Sequence, residues 1–223
     1  MAKELPILFT VEMVKAIREG RKTVTRRVIK IENPGFYKDA TLLTDGAYRF
    51  NGYGTADFKF LKPRYNVGDL LWVKEGWRCT GGGTLRNIIY RADGDTPISF
   101  CGIDDGREPM LHVPEPYWAE WDRLVYETDL GCDWRNPLFM PKWVAWSWLE
   151  VVSVRPERLQ DITDEDAIRE GFKITGCDGR SHGHQWNEIF RPVWDSINAK
   201  RGYPWASNPW VWRIEFKGIN RKP

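Results

Sequence analysis

The sequence lacks several features that would assign it at once to a large class of proteins. It contains no run of about 18 apolar residues, which a membrane-spanning helix requires. The opening segment MAKELPILFT has neither the length nor the cleavage site of a signal peptide. We therefore expect a cytoplasmic protein that has no membrane partner.

Cysteine is scarce, with four residues in 223, and no two of them form a C-x-x-C pair. This usage favours reduced thiols over a disulfide framework or a four-cysteine zinc site. Cys177, His182 and His184 have spacings that a metal could use, but their segment, CDGRSHGH, lacks the paired ligands of a known zinc module. We interpret the segment as a glycine-rich loop and predict no metal and no cofactor.

Several catalytic motifs are also missing. The chain has no P-loop, no G-x-G-x-x-G after a strand, no H-E-x-x-H and no nucleophile elbow, so redox, kinase and protease functions have little support. Charge of one sign is not in excess either, because 33 basic side chains face 31 acidic ones. Any site for an anion must therefore be a local patch, and the densest patch is GRKTVTRR, residues 20–27.

Local patterns predict an α+β chain. The run LPILF is typical of a buried strand, and Thr10 is placed to cap a helix over residues 11–19 that ends at Gly20. Thr163 and Gly171 similarly bound a short helix with three acids in its first turn. The segment HQWNEIFRPVWDSIN predicts a further helix, which Pro192 kinks or divides.

Strands are predicted by β-branched and aromatic runs. We expect strands over residues 70–74 and 143–154, and a half-buried strand in NPWVWRIEFKGI, where apolar and polar residues alternate. Residues from about 30 to 66 lack sustained periodicity, and residues from about 77 to 141 are rich in Gly, Pro and Asp. The sequence thus predicts one domain over residues 1–223 with insertions at about 30–66 and 77–141.

The cationic segment GRKTVTRR has two interpretations. Charge runs usually mark solvated turns, whereas a lysine beside a hydroxyl is also typical of a reactive site or a phosphate pocket. Lys22 and Thr25 are an odd number of residues apart and would face opposite sides of a strand. A joint role therefore requires a bend, which the helix end at Gly20 permits.

The same segment resembles the G-x-K-x-x-T-x-R signature of ASCH domains, a branch of the PUA-like fold. The matching residues are Gly20, Lys22, Thr25 and either Arg27 or Arg26. VGDLLWV, RLQDITDEDAIREG, NPWVWRIEF and the tryptophan-rich FMPKWVAW also resemble segments of ASCH-like proteins from phages and prophages, so the resemblance spans most of the chain. It implies a small curved β-barrel with flanking helices and large loop insertions, and a cleft that binds a nucleoside or single-stranded RNA.

One small ASCH enzyme class hydrolyses N-acetylcytidine with a lysine, a threonine and a glutamate, and the resemblance places these at Lys22, Thr25 and Glu170. Amide hydrolysis needs a nucleophile, a base and an acid for the leaving amine. Thr25 would attack, Lys22 would act as the base if burial and neighbouring arginines lower its pKa, and Glu170 would protonate the amine from a partly apolar pocket.

Further side chains are candidates for substrate binding. Arginines next to the signature would hold a phosphate or a developing oxyanion, tryptophans would stack on a base, and a second carboxylate would enter the cleft. The alternative for the tryptophans is the core, and for the carboxylate it is solvation or an ion pair with Lys74 or an arginine. The candidates are Arg21, Arg26, Arg27, Trp72, Trp77, Trp210 and Glu75.

Three functions remain open from the sequence. The first is a nucleoside- or RNA-binding ASCH domain that removes acetyl groups from N-acetylcytidine. The second is a module that binds RNA without chemistry, or a ribonuclease. The third is a structural role in phage morphogenesis, which a large exposed aromatic surface and an obstructed cleft would favour.

Overall fold

A computed structural model describes residues 2–54, 57–80, 87–93, 111–113, 115–126, 133–172 and 186–219. The helices in these ranges are α1 Val11–Arg18, α2 Trp118–Tyr126, α3 Asp164–Arg169 and α4 Trp186–Asn198. The strands are β1 Glu4–Leu8, β2 Val24–Val28, β3 Tyr37–Leu42, β4 Tyr48–Gly52, β5 Phe58–Leu61, β6 Leu70–Lys74, β7 Trp77–Thr80, β8 Asn87–Tyr90, β9 Leu111–His112, β10 Trp148–Arg158 and β11 Trp210–Ile219. None of the helices in the described ranges combines the length and the apolar character that a membrane crossing requires.

The main sheet has five strands in the order β1-β6-β10-β11-β2. The β1–β6 pair is parallel and the other neighbours are antiparallel. Strands β1 and β2 are the outer strands, and within the described part of the chain they are not paired with each other. The α+β prediction is confirmed, whereas a closed barrel is not seen in these residues.

The helix boundaries follow the predicted caps. The Thr10 side chain accepts a hydrogen bond from the Met13 amide at the start of α1, and Gly20 has a φ of 72° just beyond its end. At the start of α3, Thr163 accepts a hydrogen bond from the Asp166 amide. Capping side chains and a positive-φ glycine are local signals, which is why the sequence predicted both helices closely.

Three details differ from the sequence prediction. The strand predicted from residue 143 begins at Trp148, because residues 142–144 form a 3₁₀ turn instead. Helix α4 continues through Pro192 rather than dividing there, and Phe190 and Trp194 on its buried face anchor it. Strand β11 is buried on both faces and not half-buried. Trp212 faces the main core, and Val211, on the opposite face, packs with residues of α3 and α4 in a separate core.

Both predicted insertions contain sheets. Strands β3, β4 and β5 form a three-stranded sheet whose Tyr48 and Phe50 pack into the main core. Strands β7, β8 and β9 form another three-stranded sheet. Together with α2 this sheet surrounds a second core, which includes Trp77 and Trp121. The first insertion is therefore hairpin-rich, and the second adds a core of its own to the main sheet.

Candidate functional site

The chain turns sharply between α1 and β2, and this turn brings the signature residues to α3. The backbone amides of Arg21 and Lys22 both donate to the Ala16 carbonyl, which closes the end of the helix. Lys22 then forms an isolated β-bridge with Glu170, the C-cap residue of α3. The bend that a joint role for these residues requires is therefore present.

The Lys22 ammonium is enclosed by oxygen atoms. It donates to the Glu170 carboxylate at 2.5 Å, to the Val24 carbonyl at 2.8 Å and to the Glu170 carbonyl at 3.0 Å. Burial lowers the pKa of Lys22, and although Glu170 raises it, the net shift is below the ordinary value. Lys22 therefore releases its proton more readily than a solvated lysine does, and a carboxylate lies in contact with it.

Close approach of the two segments depends on Gly171, the residue after Glu170. Gly171 has a φ of 98°, and a Cβ there would lie 2.9 Å from the Lys22 Cβ and 2.7 Å from the Ala16 Cβ. A larger residue would clash with both neighbours in a backbone conformation that L-amino acids rarely adopt. Gly171 thus permits the contact between the end of α1 and the end of α3.

Glu170 also belongs to a buried ionic network, which we define as Arg26, Glu157, Asp166, Glu170 and Arg213. Arg26 donates to Glu157 at 2.7 Å, to Asp166 at 2.6 Å and to Glu170 at 3.1 Å. Arg213 donates twice to Asp166, at 2.7 and 2.9 Å. Glu170 therefore lies between two cations, not in the partly apolar pocket that the sequence interpretation required.

The remaining candidates around the signature have different surroundings. The Arg26 side chain is fully buried in the network and does not reach a ligand site in this structure. Arg21 pairs with Glu19 and donates to the Gly171 carbonyl. Thr25 is buried, and among the described residues no hydrogen bond joins its hydroxyl to Lys22 or Glu170. The structure brings Lys22 and Glu170 together without linking the predicted nucleophile to them.

A cleft of about 580 Å³ lies between the outer strands β1 and β2. Its walls come from β1, β2 and the segment that follows β5, and Arg27 crosses from one strand to the other by donating to the Leu8 carbonyl at 2.6 Å. This volume is within the range of small-molecule sites, about 300 to 1,000 Å³. Its lining includes five cationic residues and no acidic one: Arg27, Lys30, Lys62, Arg64 and Lys74. We call this feature the cationic cleft.

The cationic cleft also has an apolar wall. Trp212, Ile214 and Val154 line it, together with residues of β1. The Phe9 ring lies 5.1 Å from the Arg27 guanidinium carbon and 5.7 Å from the Lys22 Nζ. One aromatic ring therefore connects the cationic cleft with the Lys22–Glu170 pair. Thr25 precedes Arg27 by two residues in β2 and therefore lies on the same face of that strand.

The predicted stacking tryptophans are core residues. Trp77 is 1% exposed and Trp72 8%, both in the second core, while Trp210 is 5% exposed in the main core. The Trp210 ring contacts Phe50 edge-on, and the Arg158 guanidinium covers it at 4.6 Å. A base needs an open ring face to stack on, so these three tryptophans fill the protein core, which is the alternative that the sequence left open.

Glu75 is also inside the protein. One carboxylate oxygen accepts a hydrogen bond from Arg18 at 2.6 Å, and the other has no hydrogen-bond partner among the described residues. Arg18 also pairs with Asp93, so these three residues join α1 to the second insertion. Burial raises the pKa of Glu75 to about 7, and Asp93 adds to the rise while Arg18 opposes it. Glu75 is paired with an arginine and does not line the cationic cleft.

The raised pKa of Glu75 predicts a pH-dependent stability. The folded state holds the proton more tightly than the unfolded state, so the free energy of unfolding should rise as the pH falls through 7. Relative to Glu75→Gln, which cannot titrate, the wild type should gain about 2 kcal/mol between pH values of about 8 and about 5.5. Urea unfolding at both pH values measures this difference, and parallel changes in the two proteins would contradict it.

Sequence reasoning missed most of the cationic cleft. Lys30, Lys62 and Arg64 stand in or next to a segment read as an insertion, and Lys74 was considered only as a partner for Glu75. The K-P-R triplet at residues 62–64 was the available signal. The metal candidates Cys177, His182 and His184 lie outside the described residues, as do Cys101 and Cys132, while Cys79 is buried in the second core.

The chain was compared with protein-family models, curated proteins and solved structures. No family model, no curated protein and no solved structure matches the chain.

Proposed function

We propose that the protein is an ASCH-type domain that binds single-stranded RNA or a nucleotide in the cationic cleft. The observation that carries the proposal is the convergence of five cationic residues on one cleft that no acidic residue lines. The whole chain has a formal charge of only +2, so this concentration is local. Phosphate groups are the anions that such a site in a nucleotide-sized cleft would select.

The apolar wall supports a ligand with a base as well as a phosphate. Nucleobases need an apolar surface to leave water, and Trp212, Ile214 and Val154 provide one in the same cleft as the cations. In the ASCH interpretation the five-stranded sheet corresponds to the curved barrel of the PUA-like fold, and the cleft occupies the opening between its outer strands. This correspondence is part of the proposal.

RNA binding through this cleft should be strongly salt-dependent. Each phosphate that a cation neutralises releases about 0.7 counterions from a single strand, so three or four contacts predict a slope of about −2 to −3 for log K against log salt. Fluorescence anisotropy of a labelled single-stranded RNA between about 50 and 300 mM salt measures the slope. An affinity that is independent of salt would contradict the proposed role of the cations.

Hydrolysis of N-acetylcytidine is the second candidate function, and one observation favours it. The ammonium of Lys22 contacts the Glu170 carboxylate inside the protein, and burial lowers the pKa of this lysine. In the proposed reaction the Thr25 oxygen attacks the acetyl carbonyl and neutral Lys22 accepts the hydroxyl proton. This proton then passes through the Lys22–Glu170 contact to the leaving cytosine amine, so that both side chains return to their starting protonation states. Water then hydrolyses the acyl-threonine and releases acetate.

We expect Lys22→Ala, Thr25→Ala and Glu170→Ala each to lower the turnover of N-acetylcytidine by about 100-fold or more, since each removes a group that acts in the reaction. Chromatographic detection of cytidine measures the rate. Thr25→Ser keeps a hydroxyl and should retain most of the turnover, and Arg123→Ala, on the exposed side of α2, serves as the control. If the wild type converts no substrate, the hydrolase function is excluded, and the binding proposal is judged by the salt dependence alone.

A further inference from the structure

The first insertion presents an aromatic face on the side away from the core. Tyr48 and Phe50 of β4 point inward, whereas Phe58 and Phe60 of β5 point outward and are 47% and 53% exposed. Two large rings in adjacent outward positions of one strand form a continuous surface. Their centroids are 5.2 Å apart. We call Phe58, Phe60 and Arg49 the aromatic platform.

Arg49 makes the platform cationic as well as aromatic. It is the cross-strand neighbour of Phe60, and its guanidinium lies 4.6 Å from the centre of the Phe58 ring. It forms no ion pair with a described residue, and its Nε has no hydrogen-bond partner there. An arginine that lies over a ring and has no ion pair with a described residue is suited to a phosphate or to the edge of a base.

The platform continues into the cationic cleft. Lys62 follows Phe60 by two residues, about 7 Å of extended chain, and lines both the cleft and a shallow hollow of about 670 Å³ at the end of the sheet. Phe60 and Leu42 form the apolar side of this hollow. Lys62 also pairs with the exposed Asp45 at 3.0 Å, a pair that contributes little and exchanges readily with another anion.

We propose that the aromatic platform stacks successive bases of a single-stranded nucleic acid whose backbone continues past Lys62 into the cationic cleft. The proposal rests on the proposed function, because the cleft supplies the phosphate contacts. Rings on an open sheet beside Arg49 and the cations of the cleft match the two requirements of single-strand binding, a stacking surface and an electrostatic track. A protein partner would use the apolar surface but gain nothing from the continuity with the cleft.

Oligonucleotide length separates the platform from the cleft. A labelled strand of about three nucleotides fits the cleft alone, whereas one of about 12 nucleotides reaches both surfaces. We expect Phe58→Leu with Phe60→Leu to weaken binding of the long strand by about tenfold or more, because leucine keeps an apolar surface but offers no ring face. The short strand should bind as it does to the wild type. Phe58→Tyr with Phe60→Tyr should restore the affinity for the long strand. RNA and DNA versions of both strands show whether the 2′-hydroxyl of the sugar contributes to binding.

Tyr126→Leu, at an exposed ring on α2, is the matched control and should change neither affinity. Thermal unfolding of each variant checks that the fold is retained. If the leucine variant binds the long strand like the wild type, the platform is excluded while the cleft proposal stands. If the wild type binds neither strand, both are excluded. Loss of self-association in the leucine variant without loss of long-strand affinity would assign the face to a second copy of the chain and overturn the proposal.

Discussion

Replacing Asp166 by alanine should lower the free energy of unfolding by about 3 kcal/mol or more. Asp166 accepts three hydrogen bonds from two buried arginines, Arg26 and Arg213. Removing it leaves two guanidinium groups without part of their compensation in a site that is largely closed to water. Breaking one side of a buried ion pair typically costs about 3 to 5 kcal/mol. Glu157 and Glu215 still pair with the arginines, which places the expected loss at the lower end of that range.

The pKa of Asp166 supports the same conclusion. Burial alone would raise it, but the hydrogen bond from Arg213 and the charge of Arg26 outweigh burial and hold the pKa at about 2. Because the folded pKa lies below the ordinary value of 3.8, this contribution is present above pH 3.8 and is lost as the pH falls through 2. At neutral pH the carboxylate therefore contributes fully.

Urea unfolding at neutral pH measures the loss, and Asp164→Ala is the matched control. Asp164 is an exposed carboxylate in the first turn of the same helix, and its interaction with the helix dipole is worth about 0.3 to 1 kcal/mol. A substantially larger loss in Asp166→Ala than in Asp164→Ala would support the network as a stabilising feature. Equal losses would show that the arginines find other partners or that water enters the site.

Local signals in the sequence were sufficient to predict the helices that frame the site. Thr10, Gly20 and Thr163 act within a few residues of their own position, and the structure places each where the cap or turn was predicted. The motif resemblance paired Lys22 with Glu170, which lie 148 positions apart in the chain, and the structure brings them into contact.

The surroundings of these residues could not be read from local pattern. Trp210 and Trp212 occupy the same face of one strand, and Phe50 packs edge-on against both, yet only Trp212 lines the cationic cleft. Trp210 is covered by Arg158, which the Pro34 and Tyr37 carbonyls of the first insertion hold in place. Which tryptophan is covered depends on how an insertion packs, and alternation along β11 carries no information about that. The position of Glu75 has the same cause, since Arg18 and Asp93 approach it from two other segments.

Reversing two charges in the cationic cleft should weaken RNA binding by about 100-fold. Lys30 and Arg64 are exposed cleft residues, and neither forms an ion pair with a described residue, so Lys30→Glu with Arg64→Glu should leave the fold intact. The change removes two phosphate contacts and adds repulsion between two carboxylates and the RNA backbone. A loss of about 100-fold corresponds to about 2.7 kcal/mol, a moderate value for placing like charges together at an interface.

The location of the charges, not their number, is what this experiment tests. Arg123→Glu with Arg191→Glu changes the net charge by the same amount on α2 and α4, away from the cleft lining. If the cleft holds the phosphates, the Lys30/Arg64 variant loses its affinity and much of its salt dependence, while the control keeps both, because a net charge near zero provides little long-range attraction. Equal losses of affinity in the two variants would mean that RNA binding depends only on the overall charge of the protein. The cationic cleft would then not be the binding site.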